Sequence, residues 1–256
     1  MSNLDFSLII PVGSVTGLEE TIYSIQAQIG ISYEIILVVR NVHIKKNLSQ
    51  RFPIAKVILE DQPGVYGALN TGLSHASGAI VQFISVGAIL AGPDILVEIR
   101  DTFFQNQHLE ALFGGWLQKR SANLANRFAP SSKQSLLHFW GFSILNIEAL
   151  ALSKKLVGDR LIFSLQFEIA SDFEFLGRVL RKTSVGILPV TWTILPPPGL
   201  SVTKSRLGYK EVRQIRVSRA KVLFGWPGVL VLHAIDILLF RSQNRPKWVE
   251  DVVLKN

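Results

Sequence analysis

Residues 61–90 read DQPGVYGALNTGLSHASGAIVQFISVGAIL, and the fold follows from how this stretch divides. Pro63-Gly64 is turn chemistry, since proline pre-sets one backbone angle and glycine admits the left-handed one. Leu69, Leu73 and Ala76 then recur at helical spacing, and Ser77-Gly78 ends the helix. Ala79 to Ile84 runs almost continuously apolar, the pattern of a strand covered on both faces. Turn, helix and buried strand in immediate succession make half of a βαβ unit.

The same alternation extends to both sides. Phe6 to Val12 is an apolar run closed by proline and reads as a buried first strand. Thr16-x-x-Glu19 has capping-box spacing before a helix whose inward stripe is Leu18, Ile22 and Ile25. Glu34 to Val39 and Ala55 to Leu59 are further strands, separated by a basic crossover from Arg40 to Arg51. Pro93-Asp94 opens a helix with Ile95, Leu96, Ile99 and Phe103 inward, and Glu110 to Phe113 leads into a fifth strand. Gly114 to Ser135 shows no period and is read as a long, polar, basic loop. Val185 to Val190 is a last strand. Strands alternating with helices predict a mostly parallel sheet with right-handed crossovers. In such a sheet a ligand sits outside the carboxyl ends of the strands, here Pro11, Val39-Arg40 and Ser85 to Ala88.

Composition narrows the function classes. With 256 residues, 48% of them hydrophobic, the chain can bury a sizeable core. A net charge of +8 beside a mean hydropathy of +0.31 points to a membrane surface or another anionic partner. The absence of cysteine excludes disulfides, thiolate catalysis and cysteine-ligated zinc. No helix-turn-helix, stacking-aromatic or zinc pattern accompanies the basic residues, so nucleic acid is not an expected partner. The start, MSNLDFSLIIPV, lacks the basic n-region of a secretory signal, and a cytoplasmic chain is expected.

Several stretches together resemble family 2 glycosyltransferases, especially those building bacterial exopolysaccharide, of the colanic-acid type. Their motif, roughly D-x-G-I-Y-D-A-M-N-x-G-I-x-x-A-x-G before an apolar strand, is matched here at Gly64, Tyr66, Ala68, Asn70, Gly72, Ala76 and Gly78. A second motif, close to F-x-I-A-A-D-Y-D-F, is similar to FEIASDFEF at residues 167–175. The resemblance implies an α/β fold of the GT-A (nucleotide-diphospho-sugar transferase) type, with a mostly parallel central sheet and helices on both faces. It also implies sugar transfer from a nucleotide-sugar donor to a hydroxyl of a lipid-linked or polysaccharide acceptor, with inversion. Asp172 would be the base, Tyr66 and Asn70 would line the donor sugar, and the backbone around Pro11, Val39 and Ser85 would receive the nucleotide. His138-Phe139 falls roughly where relatives carry His-Gln, although a hydrogen-bonded histidine on a half-buried surface accounts for His138 equally. Pro198-Gly199-Leu200-Ser201 resembles the family's G-G-x-S with proline in place of the first glycine. Ser171-x-x-Glu174 is also a capping-box pattern, and both roles can hold at once.

The departures lie on the donor side. Val39 and Ala88 stand where the family carries acids for the nucleoside and the metal, and Gly67 stands where it carries a third acid. Divalent cations on diphosphates are held by carboxylates, so Mg or Mn is not expected as a cofactor. Two accounts fit: a metal-free donor site with Arg40 neutralising the diphosphate, or an inactive glycosyltransferase-like binding or scaffold protein in a polysaccharide assembly system. Beyond residues 1–203, the segment 204–256 opens with seven basic residues against one acid, Glu211, between Lys204 and Lys221. The apolar run Val222 to Phe240 follows, interrupted by Pro227, His233 and Asp236. That pattern suits an interfacial helix pair on an anionic membrane, placing the chain on the inner face of the cell membrane; a C-terminal helix packed on the domain is the other reading.

Overall fold

The computed structural model describes residues 4–121, 124–131, 138, 145–156, 161–197, 205–241 and 250–253. Strands β1 (Phe6–Val12), β2 (Tyr33–Val39), β3 (Ala55–Leu59) and β4 (Ile80–Phe83) pair in parallel, β1 lying between β2 and β4. The sheet continues past β4 through β8 (Leu150–Ser153), β6 (Ala111–Lys119), β7 (Leu124–Phe128) and β10 (Glu250–Val253). β9 (Val185–Leu195) runs parallel to β6, and the short β5 (Ile89–Leu90) pairs antiparallel with β9. Among the described strands, β5, β7 and β8 run against the others, and β10 pairs antiparallel with β7 at the far edge.

Side chains of a strand alternate between faces, and here both faces are covered. Leu8, Ile10, Ile35, Leu37 and Val39 pack against α1 (Leu18–Gln26), α2 (Val42–Arg51) and α4 (Ile95–Gln105). Their neighbours Ile9, Ile36 and Val38 point the other way, under α3 (Val65–His75) and α5 (Ser171–Lys182). Each fully buried Leu, Ile or Phe contributes roughly 1.5–3 kcal/mol, so the two apolar layers fix which end of every strand faces the site.

Three expectations are corrected. Gly114 to Ser135 is not a loop throughout: β6 runs on to Lys119 and forms an antiparallel hairpin with β7. The hairpin is held by Trp116 stacked on Phe128 at 3.9 Å, a pairing across strands that no local period reveals. β9 likewise continues to Leu195, burying Trp192 so closely over Gly114 that a Cβ there would lie 2.1 Å from the indole. The Thr16–Glu19 capping box does not form. Gly17 takes the N-cap in a left-handed conformation, and the Glu19 carboxylate is drawn to Arg51 instead.

Beyond the sheet, α6 (Ser205–Arg241) kinks at Gly225, whose φ of 63° and ψ of −155° suit glycine, two residues before Pro227. The kink divides the basic half from the apolar half. Among the described residues no helix is long and apolar enough to cross a membrane. The Pro198–Ser201 motif lies outside the described residues.

Candidate functional site

Parallel register brings Val12, Val39 and Leu59 level at one edge of the sheet, with Ser85 just beyond the end of β4. Pro11 is half-buried there, but the side chains of Val39 and Ala88 are fully committed to the α1–α4 apolar layer. Arg40 is 76% exposed and pairs with Glu60 at 3.4 Å, an interaction weakened by solvent. A Cβ on Gly67 would stand 2.1 Å from the carbonyl oxygen of Gln62, so this helix position has no room for any side chain. A divalent cation does not fit these residues: the three family acid positions are filled by packed aliphatics or by close backbone contact. Among the described residues no cluster of three or more His, Asp or Glu could hold one.

Ser85 has a partner that sequence reasoning missed. Its hydroxyl donates to Glu148 Oε1 at 2.7 Å and its N–H to Oε2 at 3.2 Å. Glu148 sits on the 3-10 turn Ile147–Ala149, leading into β8. Loss of solvent pushes its carboxyl up, the Ser85 bonds oppose the shift, and the charge of Asp172 adds to it. A lone acid inside the otherwise apolar LNIEALAL was the available signal.

Asp172 occupies the first turn of α5, beside the start of α3. Its Oδ1 accepts the Phe173 N–H at 2.7 Å and lies 3.4 Å from the Tyr66 hydroxyl. The Tyr66 hydroxyl donates to Ile169 O at 2.6 Å. Burial pushes Asp172 up to about 6, against the bonds from Phe173 and Tyr66. Burial and the neighbouring Asp172 charge also raise Tyr66, which stays a neutral phenol. The structure thus brings Tyr66 and Asp172 together. Asn70, one turn further along α3, is fully used as a clamp: its amide donates to Phe163 O at 2.9 Å and accepts Phe163 N at 2.7 Å.

The loop before Asp172 is fastened from a distance. Glu211, on α6, accepts the N–H groups of Glu168, Ile169 and Ala170, each at 2.9 Å. Burial works upward on this carboxyl, but the three backbone donors together hold it below the usual range. The expected Ser171 cap is not made; Ala170 is the N-cap residue and the Ser171 hydroxyl is buried with no partner among the described residues. His138 is the hydrogen-bonded histidine of the second reading. Its Nε2–H donates to Phe173 O at 2.8 Å, its ring stacks on Phe173 at 4.2 Å, and burial, with Arg219 nearby, pushes it down to about 3.

Next to this cluster lies a cavity of about 670 Å³ between α3, α5, α6 and residues 162–167, lined by Gln62, Asn70, Arg178, Arg181, Ser218 and Arg219 among others. It contains neither Pro11, Val39, Arg40 nor Ser85.

No family model matches the chain. No curated protein matches it either. Solved structures do. S. aureus TarS 1-349 superposes with a TM-score of 0.64 at 15% identity, over 85% of this chain and 66% of that one. The same protein in complex with UDP gives 0.66 at 15% identity, over 94% of this chain and 73% of that one. The mannosyltransferase PcManGT from Pyrobaculum calidifontis, in complex with GDP-Man and Mn2+, gives 0.60 at 15% identity, over 96% and 78%. The chain therefore spans about two thirds of the first TarS structure. At these identities the likeness establishes the fold, which is the GT-A type: α/β with a mostly parallel, curled central sheet.

Proposed function

We propose that the chain is a glycosyltransferase that moves a sugar from a nucleotide-sugar donor to a hydroxyl of a lipid-linked or polysaccharide acceptor, without a divalent cation. The observation that carries this reading is Asp172: an acid on the first turn of a helix, held beside Tyr66 next to the carboxyl edge, with its proton affinity raised to about 6. A carboxylate tuned to that range is mostly ionised at pH 7 yet basic enough to accept a proton. In the reaction the acceptor hydroxyl gives its proton to Asp172 as its oxygen attacks the anomeric carbon. The bond from that carbon to the nucleotide diphosphate breaks, and the leaving group carries away the electron pair. One base and no enzyme nucleophile means a single displacement, with inversion. Tyr66 and the Glu211-bound loop act on Asp172 by holding it in place.

UDP and UDP-GlcNAc occupy TarS structures, and GDP-Man occupies PcManGT. We extend only the donor class to this chain. The packed aliphatics at Val39 and Ala88 favour the second reading, a binding or scaffold protein that has abandoned the donor. Thermal-shift titration with uridine, guanosine and thymidine diphosphate sugars, with and without Mn2+, separates the two. Transfer predicts that one nucleotide series raises Tm without metal; an unmoved Tm throughout overturns it.

A further inference from the structure

The cavity beside α5 has a chemistry that the transfer step does not use. Glu174, Arg178 and Arg181 follow one another at helical spacing on α5, and Arg219 faces them from α6. The Arg178 guanidinium is held by both Glu174 oxygens at 2.9 Å, which offsets one positive charge. Arg181 and Arg219 have no carboxylate within ion-pair distance among the described residues. Arg219 is anchored by Nη2 to Glu174 O at 3.0 Å and lies over the Phe173 ring at 5.3 Å. Its Nη1 is buried with no acceptor among the described residues. Burial, and then the charge of Arg181, push this guanidinium down to about 10 against the Glu174 carboxylate, with Arg178 adding to the shift, so an anion entering the cavity offsets the crowded positive charge.

What continues from Arg219 is largely apolar and exposed. Val222, one turn further along α6, is 84% exposed, Leu223, Leu230 and Val231 are exposed around it, and the exposed Trp226 ring carries the Lys221 ammonium at 5.3 Å. Cationic cavity and exposed apolar helix thus adjoin on one element. Their combined complement is an amphiphile with a multivalent anionic head and a hydrocarbon chain.

We propose that this cavity binds the phosphate or diphosphate of a lipid-borne acceptor, through Arg178, Arg181 and Arg219, with the lipid chain laid along residues 222–231. Planar guanidinium forks match phosphate oxygens in pairs, whereas an anionic membrane surface alone needs no cavity. Arg178 stands about 9 Å along α5 from Asp172, and Asn70, one turn from Tyr66 on α3, lines the cavity, so a phosphate held here lies on the same two helices that carry the base and its tyrosine. The inference deepens the transfer reading by assigning the acceptor's anchor, and its binding test does not require turnover.

The test is calorimetric titration of the whole chain with farnesyl diphosphate, inorganic diphosphate and farnesol. Farnesyl diphosphate is expected to bind at least ~10-fold more tightly than either half alone, because head and chain are held together. Arg178→Gln with Arg219→Gln is expected to weaken it by ~10-fold or more. Since Arg219 also packs on Phe173, Ser218→Glu is the companion: that exposed hydroxyl lines the cavity, and a carboxylate there opposes the anion without removing any packing. Trp226→Ser, at an exposed position, is expected to weaken farnesyl diphosphate and leave inorganic diphosphate unchanged. Equal affinity for farnesyl and inorganic diphosphate overturns the lipid assignment, and affinity indifferent to Ser218→Glu overturns the cavity. Binding without any sugar transfer sinks the transfer reading and leaves this site standing.

Discussion

The two sides of the proposed reaction space are built in different ways. At the ends of β1 and β2 the side chains are packed aliphatics and Arg40 projects into solvent beside Glu60, while past β4 Ser85 pairs with Glu148. Across from them, Tyr66, Asp172 and the loop tied by Glu211 are polar groups with defined partners. Burying polar groups costs stability unless hydrogen bonds offset it, so an assembly of this kind persists where it is used. In the proposed reading, the strand ends that would meet the donor carry aliphatics at Val39 and Ala88, whereas hydrogen-bonded polar groups gather around Asp172.

The strongest attempt to break the contrast is Asp172→Asn. As a base, Asp172 contributes on the order of 10²–10⁴ in rate, and the variant should lose that factor in turnover. Stability should move the other way. The folded-state value is raised from 3.8 to about 6, so folding is favoured below the unfolded value and that advantage disappears as pH rises through about 6. At pH 8 the ionised, desolvated carboxylate costs at most about 3 kcal/mol, at about 1.4 kcal/mol per unit. Asp172→Asn should therefore raise Tm at pH 8 while turnover collapses, and wild-type kcat/KM should rise with pH through an apparent pKa near 6. A variant that instead loses stability at pH 8 identifies Asp172 as a helix-end residue only.

On the donor side the corresponding attempt is to put an acid back. Gly67→Asp should cost about 3 kcal/mol in urea unfolding, because its Cβ would meet the Gln62 carbonyl at 2.1 Å. An ordinary helix glycine would gain stability on acquiring a side chain. The variant should show no Tm increase with Mn2+. If it folds within 1 kcal/mol of the parent and Mn2+ stabilises it, the donor side is only one substitution from a metal site and the contrast fails.

What could be read from the chain follows the range of the interactions involved. β1 to β4, with the helices between them, obey local periods, so the apolar runs and the Leu69–Leu73 spacing expose them directly. Asp172 is marked by its surrounding motif. The β6–β7 hairpin was hidden because Gly114-Gly115 interrupt alternation and the stacking of Trp116 on Phe128 is a cross-strand event. The two capping boxes misled for different reasons. The distant Arg51 takes Glu19, whereas Glu174 goes to Arg178 one turn on and Asp172, not Ser171, accepts the Phe173 N–H. Glu148 and the arginine-lined cavity depend on elements far apart in sequence meeting in space, which no spacing rule encodes.

Arg40→Ala should have the smallest effect and is the sharpest probe of how the donor side would work without metal. Arg40 is 76% exposed while its partner Glu60 is 12% exposed, and solvent around the arginine keeps such a pair to about 1 kcal/mol, so Tm should move little. A metal-free diphosphate site needs a cation in its place, and on the donor side Arg40 is the cation that the sequence reading assigned to this task. If it serves, the nucleotide-sugar Kd should rise about 3- to 10-fold with kcat nearly unchanged, because a surface arginine acts on a diphosphate mainly through screened attraction. The effect should shrink as salt is raised, and Arg40→Lys should restore most of it, since charge rather than fork geometry is being tested. An unchanged Kd at low salt removes Arg40 from the donor site, and with it the only charge compensation the packed ends of β1, β2 and β4 have been assigned.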